Sequence, residues 1–134
     1  MESTPEKCLS KQIEIPLSYS TPPLNANQRL HWAHKAKITR EVRHEVCWRV
    51  KAENLPPADR IVFELHYLPK QNRRRDLGNL MPTHKACLDG TVDSGLISDD
   101  TPEFVQERMP VIHRAERDVP VRLWLAITIE GERP

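Results

Sequence analysis

The amino-acid sequence predicts an α+β fold: one domain, its elements in the order β-α-β-α-β-β, with two helices on a mixed sheet. Three observations lead there. Residues 31–53 contain neither proline nor glycine and repeat Ile38, Val42, Val46 and Val50 at four-residue spacing, the period of one helix face. Residues 61–68 and 121–129 alternate their apolar side chains with period two, as strands do. A length of 134 residues suits a single domain with a modest core.

In chain order, residues 1–10 (MESTPEKCLS) are polar and expected to form a flexible N-terminus, leaving 11–134 as the domain. Ile13, Ile15 and Leu17 alternate with Gln12, Glu14 and Pro16, a half-buried strand. Pro16 offers no ladder donor, so this strand belongs at an edge. Residues 21–27 (TPPLNAN) break into a loop in which Asn25 and Asn27 suit capping or Asx turns.

The helix over 31–53 carries Lys35, Arg40 and Arg43 among many basic residues and few glutamates, a face able to lie along a phosphate backbone. The plainer alternative is a solvated face with pairs such as Glu45 and Arg49. Trp32 and Trp48 could stack on DNA bases, but in a chain poor in aromatics they are expected as buried anchors. Leu55-Pro56-Pro57 ends the helix. The 61–68 strand is apolar enough to be central. A second helix over 80–94 should bury Leu80, Ala86, Cys87, Leu88 and Val92, starting at Pro82 and stopping at Gly95. Residues 104–113 read as one strand broken by Pro110, and 121–129 as the last, with Val121, Leu123, Leu125, Ile127 and Ile129 facing one way.

Composition narrows the function. No stretch is long and apolar enough to span a bilayer, and the first residues lack the basic-then-apolar order of a signal peptide, so a cytosolic protein is expected. Cys8, Cys47 and Cys87 are widely spaced, as free thiols are. Net charge is +1, but residues 29–85 carry +7 and residues 86–134 carry −5, the polarity of a protein with one phosphate-facing side.

The densest chemistry lies at residues 73–100, RRRDLGNLMPTHKACLDGTVDSGLISDD. Three consecutive arginines abut Asp76, Lys85 follows on a helix, and Asp99-Asp100 closes the stretch. Guanidinium groups to grip phosphates and carboxylates to hold a divalent ion are the parts of phosphodiester hydrolysis. An exposed, salt-bridged loop ahead of a surface helix is the alternative, with Asp76 as that helix's N-cap.

In Arg73, Arg74, Arg75, Asp76, Asn79, Leu80, Lys85, Leu88, Asp89, Asp99 and Asp100 the stretch resembles the RusA family of Holliday junction resolvases. The resemblance implies a homodimeric, Mg²⁺- or Mn²⁺-dependent endonuclease that resolves four-way DNA junctions by paired cleavage. It implies Asp76, Lys85 and Asp100 as catalytic residues and Asp76, Asp99 and Asp100 as metal ligands. Arg73, Arg74 and Arg75 would bind DNA, and Asn79 would orient a ligand or water. Two departures stand out. The family's second aspartate is Gly78 here, and Lys85 lies about one helical turn further from Asn79. Asp89 or Asp93 is a candidate replacement for the lost carboxylate. A branched-DNA binder that does not cut is the competing reading. A third makes the acidic last third of the chain a docking surface for a protein partner.

Overall fold

Odd-numbered residues on three strands turn to the same side and make the core. In the computed structural model, which describes residues 11–132, β5 (Arg122–Glu132) runs antiparallel to both β1 (Lys11–Pro16) and β2 (Ala58–Leu68). Ile13 and Ile15 stand opposite Ile127 and Leu125, which stand opposite Phe63 and Leu65. Leu123 faces Tyr67, and Ile129 faces Ile61. A slip of one residue would turn this whole set to solvent, so the apolar alternation itself specifies the register. Residues 1–10, expected to be flexible, lie outside the described residues together with Cys8.

The sheet order is β1-β5-β2-β3, which puts β1 at an edge, as Pro16 requires, and β2 inside. The stretch expected as one strand over 104–113 is two: β3 (Val105–Glu107) and β4 (Val111–Ile112), both parallel to β2. Pro110 divides them because it has no N–H for the ladder. The sheet is therefore mixed and five-stranded, with one strand more than the predicted order.

Two helices, α1 (Trp32–Ala52) and α2 (Met81–Asp93), complete the core. α1 buries Val42, Val46 and Val50. α2 buries the expected Ala86, Cys87 and Leu88, but also Thr83, His84 and Thr91, which apolar periodicity does not reveal. The helices meet closely at Gly90, where a Cβ would lie 2.6 Å from the Arg43 carbonyl oxygen and 2.8 Å from Val46 Cβ. Beside this contact Arg43 donates from Nε and Nη2 to the Asp93 carboxylate at 3.0 and 2.9 Å, a two-pronged clamp between the helices. Gly95, at φ 88°, takes the left-handed conformation that stops α2.

The tryptophans correct an expectation. Trp32 is 76% exposed and Trp48 59%, whereas Trp124 on β5 is 7% exposed. The reason is geometric: the inner stripe of α1 is filled by compact valines, Trp48 falls on the opposite side of the helix, and Trp32 precedes the buried stretch. Among the described residues no helix is long and apolar enough to cross a membrane.

Candidate active site

β2 delivers the chain to the site. Past Leu68, residues 69–76 lead into a 3-10 turn, Leu77–Leu80, that runs directly into α2. Asp76 caps this turn: its backbone is extended and its Oδ1 accepts a hydrogen bond from the Gly78 N–H at 3.0 Å. The alternative of Asp76 as an N-cap is thus realised, on the short turn rather than on α2. Asp76 Oδ2 makes no hydrogen bond among the described residues. Pro82 lies in the first turn of α2, where its missing N–H costs nothing.

The loop after β1 forms the facing wall. Leu24 is buried, its N–H donates to Thr83 Oγ1 at 3.1 Å, and the Thr83 hydroxyl donates back to the Leu24 carbonyl at 2.7 Å. The Ala26 N–H reaches the Asn79 carbonyl at 3.3 Å. Asn25 makes the expected Asx turn, its Oδ1 accepting from the Asn27 N–H at 2.8 Å. Fastened in this way, Asn25 and Asn27 face Arg73, Arg74, Arg75, Asp76 and Asn79 across a cleft of about 690 Å³, with Tyr67 and Ile112 also in its lining.

Charge in the cleft is lopsided. Three guanidinium groups share it with the single carboxylate of Asp76, so it attracts anions. Arg75 is tethered: its Nη1 donates to the Gln71 carbonyl at 2.7 Å, and its guanidinium lies 5.8 Å from the Tyr67 ring centroid. Arg73 and Arg74 make no hydrogen bond or ion pair among the described residues and are exposed. They are free to meet a phosphate.

The remaining predicted site residues form a second group. Lys85 Nζ is 3.0 Å from Asp89 Oδ1 and 2.5 Å from Asp100 Oδ2. Its hydrogen bonds to Asp100 and then Asp89 raise its pKa above the ordinary lysine value. The same contact from Lys85 holds the Asp100 carboxyl below the usual carboxylate range. Asp99 Oδ1 accepts from the Asp100 N–H at 2.8 Å.

Sequence reasoning placed Asp76, Lys85, Asp99 and Asp100 in one constellation. The structure gathers Lys85, Asp89, Asp99 and Asp100, while Asp76 lines the arginine cleft, whose lining includes neither Lys85 nor Asp100. Asp93 is committed to Arg43, and the DNA-binding role expected for Arg43 meets the same obstacle: its guanidinium is the inter-helix clamp. Asp89 alone of the two replacement candidates joins the Lys85 group. Lys35 and Arg40 are exposed, as a backbone contact needs. Among the described residues no three His, Cys, Asp or Glu side chains are grouped so as to hold a metal ion. Nothing in the sequence pointed to Thr83, which ties the walls together, because a buried threonine inside a helix has no periodic signature, and Tyr67 was marked only as one of the alternating residues of its strand.

No family model matches the chain, and no curated protein matches it.

Proposed function

We propose that the protein is a metal-dependent, structure-selective endonuclease that resolves four-way DNA junctions in recombination and repair, the activity of the family its 73–100 stretch resembles. One observation carries this reading: free Arg73 and Arg74 share a cleft with the half-free carboxylate of Asp76 and the side chain of Asn79. Phosphate grip and a hard oxygen donor stand side by side there. Guanidinium contacts to phosphate carry no base information, so selection rests on backbone geometry. A two-fold homodimer presents two equivalent sites for two symmetric cuts.

The donors suit Mg²⁺ or Mn²⁺ in kind. Such ions take oxygen ligands and need only one or two carboxylates, with water and phosphate oxygens filling the rest. The resemblance assigns the ion to Asp76, Asp99 and Asp100, of which the arginine cleft itself holds Asp76 alone; when bound, the ion would supply a water of lowered pKa and a Lewis acid for the phosphoryl oxygens. The chain's own groups do the remainder. Arg73 and Arg74 anchor the backbone, Arg75 is braced by Gln71 and Tyr67, and Lys85 keeps Asp100 ionised while adding a fixed positive charge.

A second reading, a junction binder that does not cut, is favoured by Gly78 in place of a family aspartate and by the engagement of Asp100 with Lys85. Incubating purified protein with a four-way junction, with and without Mg²⁺, separates the two on a denaturing gel. Paired cuts that require the metal support the nuclease. Intact strands from protein that still shifts the junction on a native gel support the binder.

A further inference from the structure

The outer side of α1 carries a second feature that the cleft does not use. Lys37, Arg40, His44, Trp48 and Lys51 follow one another at intervals of three and four residues, and each is exposed. At helical spacing they form one stripe, on the side opposite the buried Val42, Val46 and Val50. Trp48 lies within that stripe at 59% exposure. Lys51 Nζ sits 5.4 Å from its ring centroid, and the His44 ring meets it edge-on at 6.1 Å. Glu41 lies at the margin of the stripe, and Glu45, next to His44 in sequence, is engaged by Arg49 and the Ser18 N–H.

A lone exposed apolar side chain needs no explanation, but this one is framed by cations. A hydrophobic protein groove or a lipid surface would call for apolar neighbours, and the stripe offers none beyond the indole. Unpaired nucleic acid has the complementary chemistry: a polyanionic backbone for Lys37, Arg40 and Lys51, and planar bases for the indole. We infer that the outer face of α1 is a second nucleic-acid contact, in which Trp48 stacks on an unpaired base at or near a branch while the flanking cations hold its phosphates. This rests on the nucleic-acid reading above and adds to it a preference for single-stranded character that the arginine cleft does not need.

The test compares Trp48→Ala and Trp48→Phe, each in the full chain, on oligothymidylate, on blunt duplex and on an intact four-way junction. Trp48→Ala should weaken oligothymidylate binding by about tenfold, the scale of one base–aromatic stack, with blunt-duplex affinity held within about twofold. Trp48→Phe, which keeps a stacking face, should retain most of the affinity. In a Trp32→Phe background, which leaves Trp48 and the buried Trp124, oligothymidylate should quench the fluorescence, and adding Trp48→Phe should abolish the quench. Equal losses on both substrates, no loss on oligothymidylate, or unchanged fluorescence at saturation would overturn the inference, as would Trp48-dependent self-association in sedimentation. Wild-type protein that binds no nucleic acid sinks this inference and the proposed function together. Wild-type binding to junctions that Trp48→Ala leaves untouched on every substrate sinks the Trp48 contact alone.

Discussion

Placing at position 78 the carboxylate that the family resemblance leads one to expect, by Gly78→Asp, is sterically open in this fold. Gly78 is not among the glycines at positive φ, and a Cβ there would meet only Asp76 Oδ1, at an ordinary 3.5 Å. The difficulty is electrostatic. Two carboxylates roughly 5 Å apart repel by about 0.8 kcal/mol in water and by about 3 kcal/mol at an effective dielectric constant of 20. Asp76 is exposed, so the cost belongs near the lower figure, about 1 kcal/mol. For a domain of this size that lowers Tm by roughly 3–5 °C in the absence of divalent ions. Mg²⁺ bound between the two carboxylates should reverse the loss, and the Mg²⁺-induced rise in Tm should exceed that of the wild type. Thermal unfolding with and without Mg²⁺ measures this, and junction cleavage by the same samples should rise about tenfold or more, because aiming a water matters steeply. No extra response to Mg²⁺, with cleavage unchanged from an already active wild type, would show that residue 78 takes no part in holding the ion. The third ligand would then come from Asp89 or Asp99, and position 78 would not correspond to the family aspartate.

Arg73→Ala with Arg74→Ala should leave the unfolding midpoint unchanged, since neither side chain has a partner to lose among the described residues. The double variant should also reduce the salt dependence of junction binding by a log–log slope of about 2, from roughly 0.9 per phosphate contact; an unchanged slope makes the run a solvated face. Gly90→Ala should destabilise by about 1–2 kcal/mol in urea titration, because overpacking against the Arg43 carbonyl outweighs the helix propensity gained. Stability equal to wild type would deny that close approach. Acidification should weaken the fold through His113, whose pKa burial, then His66 and Arg122, depress below 6.5 against the opposing pull of Glu14. A depressed histidine contributes fully above its unfolded value and loses that contribution as pH falls through about 6.5 toward the folded pKa. His113→Gln should flatten this part of the stability–pH curve, and a wild type that gains stability there contradicts the assignment.

The elements were legible where one period dominates. The valines of α1 and the odd-numbered residues of β2 and β5 announced their faces, and Pro16 its edge. The split of β3 from β4 was half legible, because Pro110 marks a break without saying whether pairing resumes beyond it. Trp48 was misjudged because propensity for burial ignores which side of the helix a residue occupies. In the candidate site the arginines, Asp76 and the Lys85–Asp100 neighbourhood could be read from charge order and family resemblance. What could not be read were the tertiary partners: Asp93 taken by Arg43, and the Thr83 hydroxyl pinning the Leu24 loop into a cleft wall. These are contacts across 50 residues or more, and linear sequence does not encode them locally.

Both the cutting and the non-cutting reading depend on recognition of branched DNA. A competition assay at physiological salt, with labelled four-way junction challenged by linear duplex of the same sequence, tests that dependence directly. Unlabelled junction should displace the probe at far lower concentration than linear duplex does, and Arg73→Ala with Arg74→Ala should erode the difference. Equal displacement by the two competitors would contradict it.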